Sequence, residues 1–236
     1  MTLPVALLAG GLATRLHPIT ATIPKSLVEV AGRPFIEHQL LQLRGQGYRS
    51  VVICVGHLGG LIEKAVGDGS RLGMHVSYSH EGERLLGTGG ALRNAASQLG
   101  ERFLVMYGDS YLSCDYAAVE QAFQQSFQPA LMTVFRNDGK YGESNVVYRD
   151  GRIIQYDKSR PTGQMRYIDY GLSALAADVL RPYAAGTKFD LSEVFHHLAA
   201  AGRLAAFEVA DRFYEIGSAA GLEETRRHLA GSREVG

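Results

Sequence analysis

An adjacent glycine pair, Gly10-Gly11, followed by Thr14 and Arg15, stands directly after a short apolar run near the start of the chain. Glycines at such a place permit positive φ and close backbone approach to a phosphate or a base. The Thr14 hydroxyl and the forked Arg15 guanidinium add donors suited to phosphate oxygens. Asp109 follows a second apolar stretch, 103–107, where a carboxylate suits a Mg²⁺ held by few protein oxygens plus phosphates and water. Lys25 and Lys158 add further cations. Taken singly, each has a plain structural explanation: a strand-to-loop turn with an outward arginine, an aspartate capping the next turn, two surface lysines. Two familiar phosphate loops are absent. The spacing after Gly10 does not give G-x-G-x-x-G, and the Lys25-Ser26 pair lacks the preceding glycine of a Walker A loop.

These residues need elements to position them. Residues 3–9 read as a buried strand closed by Gly10-Gly11. Pro34 suits the first position of a helix whose apolar face is Ile36, Leu40, Leu41 and Leu43, stopped by Gly45 and Gly47. Strands are then expected at 51–55, 75–79 and 103–107, and helices at 58–66, 89–99 and 115–127. This alternation predicts a parallel sheet with right-handed crossovers, which binds ligands outside the carboxyl ends of its strands. The second half changes character. Strands are expected at 129–135, 144–148, 152–156, 166–175, 204–209 and 213–216, with a hairpin turn at Asp150-Gly151. Helices are expected at 191–201 and 221–229. These strands read as antiparallel additions to the same sheet. The expected fold is therefore α/β, Rossmann-like and three-layered, with a mainly parallel sheet and an antiparallel extension, in one domain over 1–236.

The composition narrows the function classes. The 236 residues are 46% hydrophobic, which excludes wholesale disorder. Twenty-four basic residues balance 24 acidic ones, which argues against a nucleic-acid binder with a broadly basic surface. No apolar run approaches the roughly 18–20 residues of a membrane span, and the first nine residues lack a signal peptide's length and basic flank. Cys54 and Cys114, each in or beside an apolar stretch, are expected as free thiols. A reduced, cytoplasmic setting follows as the expectation.

The stretch Gly10-Gly11-Leu12-Ala13-Thr14-Arg15-Leu16-His17-Pro18-Ile19-Thr20, then Pro24-Lys25-Ser26-Leu27 and Gly32-Arg33-Pro34, resembles the signature of the sugar-1-phosphate nucleotidylyltransferases. Their pattern runs G-G-x-G-T-R-L-x-P-x-T, P-K-x-L-x-x-V and G-x-P, so Ala13 departs from the usual glycine. Leu86-Gly87-Thr88-Gly89-Gly90-Ala91 resembles the second nucleotide-contacting segment of the heptose- and mannose-like branch. Gly108-Asp109 resembles the metal-binding G-D, and Asp157-Lys158 the E-K that meets the sugar phosphate. Asp169-Tyr170-Gly171 stands where relatives carry N-A-G, and Tyr214-Glu215-Ile216-Gly217-Ser218 resembles W-x-D-I-G-T.

The resemblance implies transfer of a nucleoside monophosphate from an NTP to a sugar 1-phosphate, with Mg²⁺ as cofactor. Arg15 and Lys25 are then the catalytic cations on the triphosphate. Leu8, Gly10, Gly11, Thr14, Glu81, Gly87 and Thr88 are the expected nucleotide contacts. Asn145, Asp157, Lys158, Asp169 and Gly171 are expected around the sugar phosphate, and Asp109 and Glu215 at the metal. Glu81 falls at the base-reading position. A carboxylate only accepts hydrogen bonds, and guanine offers it two adjacent donors, N1–H and the 2-amino group. This tilts the expectation towards GTP with a manno-configured sugar or a heptose 1-phosphate. Uridylyl or thymidylyl transfer is the alternative. A non-catalytic sugar-nucleotide-binding relative is the other rival, suggested by Ala13, Asp169 and Glu215.

Other chemistries find less support. Gly108-Asp109-Ser110 invites an esterase reading, but no aspartate is followed three residues later by histidine. His196-His197 lies on a helix without an H-E-x-x-H pattern, and neither cysteine has a partner at zinc spacing.

Overall fold

Val5, Ala6 and Leu7 are wholly buried, so the first strand, β1 (Val5–Leu8), meets core on both faces. A central parallel strand covered by helices on either side has this character. The computed structural model of the chain describes residues 2–11, 22–82 and 84–231. A hairpin of β2 (Glu29–Val30) and β3 (Arg33–Pro34) leads into α1 (Phe35–Gly45). Pro34, at φ −56°, caps this helix rather than opening it, and Ile36, Leu40 and Leu43 form its buried stripe. Each such side chain contributes roughly 1.5–3 kcal/mol of burial. Then come β4 (Ser50–Val55), α2 (Gly59–Val66), β5 (His75–His80), α3 (Gly87–Leu99) and β6 (Arg102–Tyr107).

The second half comprises β7 (Ser110–Leu112), α4 (Tyr116–Ser126), β8 (Ala130–Arg136), β9 (Val146–Arg149), β10 (Arg152–Tyr156), β11 (Tyr167–Ala176), α5 (Leu191–Ala200), β12 (Leu204–Val209), β13 (Phe213–Glu215) and α6 (Ala219–Gly231). Asp150 and Gly151 both have positive φ, as a tight β9–β10 hairpin requires.

Among the described residues the main sheet has nine strands in the order β5-β4-β1-β6-β11-β8-β12-β10-β9. β5, β4, β1 and β6 are parallel neighbours, and β11 runs against both β6 and β8. Two expectations need correction. β12 is parallel to β8, so the extension is not wholly antiparallel. The segment 177–190 climbs to the ligand end of the sheet and α5 runs back down, so β12 starts level with β8. β13 leaves the sheet altogether and pairs with β7. Both edges of β12 are already filled, by β8 and β10.

The two faces carry separate cores. α1, α2 and α4 cover one face with Ile36, Leu40, Ile62, Val119 and Phe123 against Val5, Leu7 and Ile53. α3 and α5 cover the other with Leu92, Ala95, Val194 and Phe195 against Ala6, Val52 and Val105. The molecule is thus a three-layer α/β fold. From β1 the chain goes to one side for β4 and β5 and to the other for β6. The ends of these four strands lead to Gly10, Gly56, Glu81 and Gly108-Asp109, so the switch point of the sheet is lined by residues of all four. Cys54 and Cys114 are free thiols. Among the described residues no helix is long and apolar enough to cross a membrane.

Candidate active site

A cleft of about 320 Å³ opens at this switch point, lined by Leu8, Gly10, Gly11, Lys25, Glu81, Gly87, Thr88 and Asp109 among others. Gly87 and Thr88, in the first turn of α3, stand on its wall, while the N–H groups of Thr88, Gly89 and Gly90 are engaged by Asp190 Oδ1 at 3.4 Å and by Phe189 O at 3.1 and 3.2 Å. Thr14 and Arg15 lie outside the described residues.

The glycine pair works through space rather than torsion. Neither Gly10 nor Gly11 has positive φ, which corrects one half of the expectation. A Cβ on Gly10 would instead collide with the Glu81 carboxylate, and would lie 3.1 Å from the Gly56 nitrogen. Glu81 follows β5, where its backbone nitrogen donates to Val55 O at 3.0 Å. Its Oε2 accepts from the Leu86 backbone N–H at 2.5 Å. Burial raises the Glu81 carboxyl above its usual range, against the opposing effect of the Leu86 amide.

Lys25 stands in a 3-10 turn, Lys25–Leu27, between β1 and β2. Its Nζ donates to Asp109 Oδ2 at 2.8 Å, and Ser110 Oγ donates to Asp109 Oδ1 at 3.1 Å. Burial works to raise the Asp109 carboxyl, but Lys25 and the hydrogen bonds outweigh it, and the group is held below its usual range. Gly108 lets the chain turn there: a Cβ would lie 2.6 Å from Leu8 O.

Glu215 is brought near by the β7–β13 pairing, which sets it opposite Ser110, and Ile216 N donates to Asp109 O at 2.9 Å. Its carboxylate faces the start of α6. Ser218 Oγ donates to Oε1 at 2.6 Å and Gly217 N to Oε2, with Gly221 directly beyond. Among the described residues no three His, Cys, Asp or Glu side chains converge as a preformed metal cage. An ionised Asp109 on the cleft wall suits a hard cation that takes one or two protein carboxylates and draws its other oxygens from phosphate and water.

The residues expected around the sugar phosphate form a second cluster beside the cleft. Asn145, buried, knits it together: its Oδ1 accepts from Asp169 N at 2.9 Å and its backbone oxygen from Asp157 N at 3.1 Å. Asp157 itself is engaged by the turn, accepting from Ser159 N and Arg160 N at 2.8 and 2.9 Å, and these bonds lower its carboxyl. Gly171, at φ +105°, donates to Asp169 Oδ1 at 3.1 Å inside a bulge of β11. Burial pushes the Asp169 carboxyl up to about 6, despite nearby Lys158 and the hydrogen bond from Gly171.

Two site residues were missed by the sequence reading. Tyr107, the last residue of β6, lines the cleft with its ring 5.8 Å from Lys158 Nζ. Only its place two residues before Asp109 signalled it. Asp190 lines the cleft and caps α5, and its Oδ1 accepts from Thr88 Oγ1 at 3.3 Å. Thr88 Oγ1 in turn accepts from Leu191 N at 2.9 Å, so α3 and α5 are joined at the cleft floor. An Asp before a helix with Glu193 three residues on could have been found as a capping box.

Residues 5–148 match the family model described as nucleotidyl transferase. Among curated proteins, the chain is 31% identical over 219 residues to a mannose-1-phosphate guanylyltransferase catalytic subunit beta of Danio rerio, covering 89% of this chain and 60% of the relative. It is 40% identical over 116 residues to an N-acetylmuramate alpha-1-phosphate uridylyltransferase of Neisseria meningitidis, covering 49% of this chain and 50% of that one. The chain therefore spans between half and three-fifths of the length of these two relatives. The crystal structure of HddC from Yersinia pseudotuberculosis, complexed with GMP-PN, superposes with a TM-score of 0.80 at 24% identity, covering 97% of this chain and 100% of that one. At that identity the likeness establishes the shared fold.

Proposed function

The chain belongs to the nucleotidyl transferase family, and from this premise we propose that it transfers a nucleoside monophosphate from an NTP to a sugar 1-phosphate, giving a nucleotide sugar and pyrophosphate. The observation that carries the proposal is the Lys25–Asp109 pair on the wall of a cleft built from four parallel strand ends.

The chemistry follows from charge. An oxygen of the sugar phosphate attacks the α-phosphorus, a P–O bond forms, and the bond to the bridging oxygen breaks with its electron pair leaving on pyrophosphate. The nucleophile is already an anion, so no strong base is needed; alignment and charge neutralisation do the catalysis. Lys25 would bridge the reacting phosphoryl groups, and Arg15 would hold the β- and γ-phosphates. Lys158 would neutralise the acceptor phosphate, with Asn145, Asp157, Asp169 and Gly171 around the sugar. Asp109 would hold Mg²⁺, with Glu215 as second carboxylate once it exchanges its bonds to Gly217 and Ser218. Bound there, the ion would add positive charge against the reacting phosphates.

Glu81 supports GTP as the donor. Its oxygens each keep a lone pair beyond the Leu86 contact, and guanine presents two adjacent donors to them. The guanylyltransferase relative supports a manno-configured acceptor, and the likeness of residues 86–91 to the heptose- and mannose-like branch keeps a heptose 1-phosphate beside it. The second reading is uridylyl or thymidylyl transfer, favoured by the 40%-identical uridylyltransferase.

The test is pyrophosphate release with Mg²⁺, across GTP, UTP, dTTP and ATP, each with mannose and heptose 1-phosphates and a panel of other hexose 1-phosphates. The proposal expects release only when both substrates are present, fastest with GTP. Preference for UTP or dTTP moves the assignment to the second reading. No release with any pair overturns transfer and leaves a non-catalytic sugar-nucleotide-binding relative.

A further inference from the structure

Tyr107 stands where the nucleotide cleft meets the sugar-phosphate cluster. The β6–β11 ladder pairs Met106 with Leu172, so the next pair outward would be Tyr107 and Gly171. There β11 bulges between Asp169 and Ser173. Gly171 takes φ +105°, which L side chains rarely adopt. The Tyr107 ring fills the space over Gly171, its Cδ2 being 3.4 Å from where a Cβ would stand. The Tyr107 backbone is fixed from behind, since its carbonyl accepts from Gln39 Nε2 at 2.9 Å.

From this fixed point the side chain reaches towards the lysine expected at the sugar phosphate. Its ring lies 5.8 Å from Lys158 Nζ, within the range at which a ring face attracts a cation. Among the described residues Lys158 makes no ion pair. Its charge is therefore held near the cleft by an aromatic face, which orients it without neutralising it.

We propose that Tyr107 is a positioning residue for the sugar 1-phosphate, holding Lys158 with its ring. The inference rests on the transfer reading given above. Two substitutions test the ring itself. Tyr107→Phe keeps the ring and its packing on Gly171. Tyr107→Leu removes the aromatic face but stays apolar.

The experiment is steady-state kinetics of the full chain and both variants, with KM and kcat for each substrate. Tyr107→Leu is expected to raise the sugar-phosphate KM roughly three- to tenfold, the scale of a lost contact between a cation and a ring face, with the NTP KM within twofold of wild type. Tyr107→Phe, which keeps the aromatic face, is expected to hold the sugar-phosphate KM close to that of wild type. No rise for Tyr107→Leu, equal rises in both KM values, or a Tyr107→Phe variant as impaired as Tyr107→Leu would each overturn the inference. A wild-type chain that releases no pyrophosphate would instead sink the transfer reading itself.

Discussion

The Lys25 ammonium lies 2.8 Å from Asp109 Oδ2, joining a turn after the first strand to the end of β6. The cation proposed for the triphosphate and the carboxylate proposed for the metal thus hold one another. Asp109→Asn should lower kcat at least about a hundredfold, the scale of losing one charge-stabilising group, while circular dichroism stays unchanged. The Asp109 carboxyl is held below its usual range in the folded chain, so its ionised pair stabilises the fold at neutral pH. That contribution is lost as pH falls through the lowered folded value. The stability gap between wild type and Asp109→Asn should therefore close in acid, which thermal melts across pH would measure.

Gly10 and Glu81 fit one another too closely for a methyl group between them. Gly10→Ala should displace the Glu81 carboxylate, raise the NTP KM and cost about 1–3 kcal/mol of stability from overpacking. Adding Glu81→Ala removes the obstacle, so the double variant should be more stable than the sum of the single changes allows. Strict additivity in chemical denaturation would rule out the clash.

Burial pushes the Asp169 carboxyl up to about 6. Its folded value lies above the unfolded one, so protonation favours the fold; that stabilisation is full below the unfolded value and is lost as pH rises through about 6. Asp169→Asn, which carries no charge, should be more stable than wild type at pH 8 by about 3 kcal/mol. The advantage should shrink steadily towards pH 4. A difference in melting temperature independent of pH would show that Asp169 does not titrate in this range.

Glu215 spends both carboxylate oxygens on the start of α6. Glu215→Ala should therefore destabilise the chain by about 1–3 kcal/mol even without Mg²⁺, because two donors lose a charged acceptor. Melts with and without Mg²⁺ separate this structural duty from metal binding. If Glu215→Ala melts like wild type in metal-free buffer, the duty assigned here is wrong.

Much of this was legible in the sequence because the signals are local. The apolar run before Gly10-Gly11 and the Ile36–Leu40–Leu43 stripe each report their own element. So does the Asp150-Gly151 turn, and the observed strands and helices fall close to the expected ones. Partner choice is not local. Nothing in residues 213–215 says that β12 already has both edges filled, so β13 was assigned to the wrong sheet. The same limit applies at the site. Lys25 and Asp109 could be named from motif and position, but their ion pair spans 84 residues. Tyr107 escaped notice because its duty depends on a bulge in β11, and a bulge leaves no periodic trace beyond Gly171.

The central claim is that a sugar-phosphate oxygen attacks the α-phosphorus of an NTP in this cleft. Its most direct test supplies sugar 1-phosphate labelled with ¹⁸O in the phosphate, together with Mg²⁺ and each of GTP, UTP, dTTP and ATP in turn, and weighs the products by mass spectrometry. Nucleotide sugar and pyrophosphate should form one for one, with all of the label in the nucleotide sugar and none in pyrophosphate. Asp109→Asn should form neither at a measurable rate. Conversion of GTP to GDP and phosphate, label in the pyrophosphate, or no nucleotide sugar from any NTP offered would contradict the account.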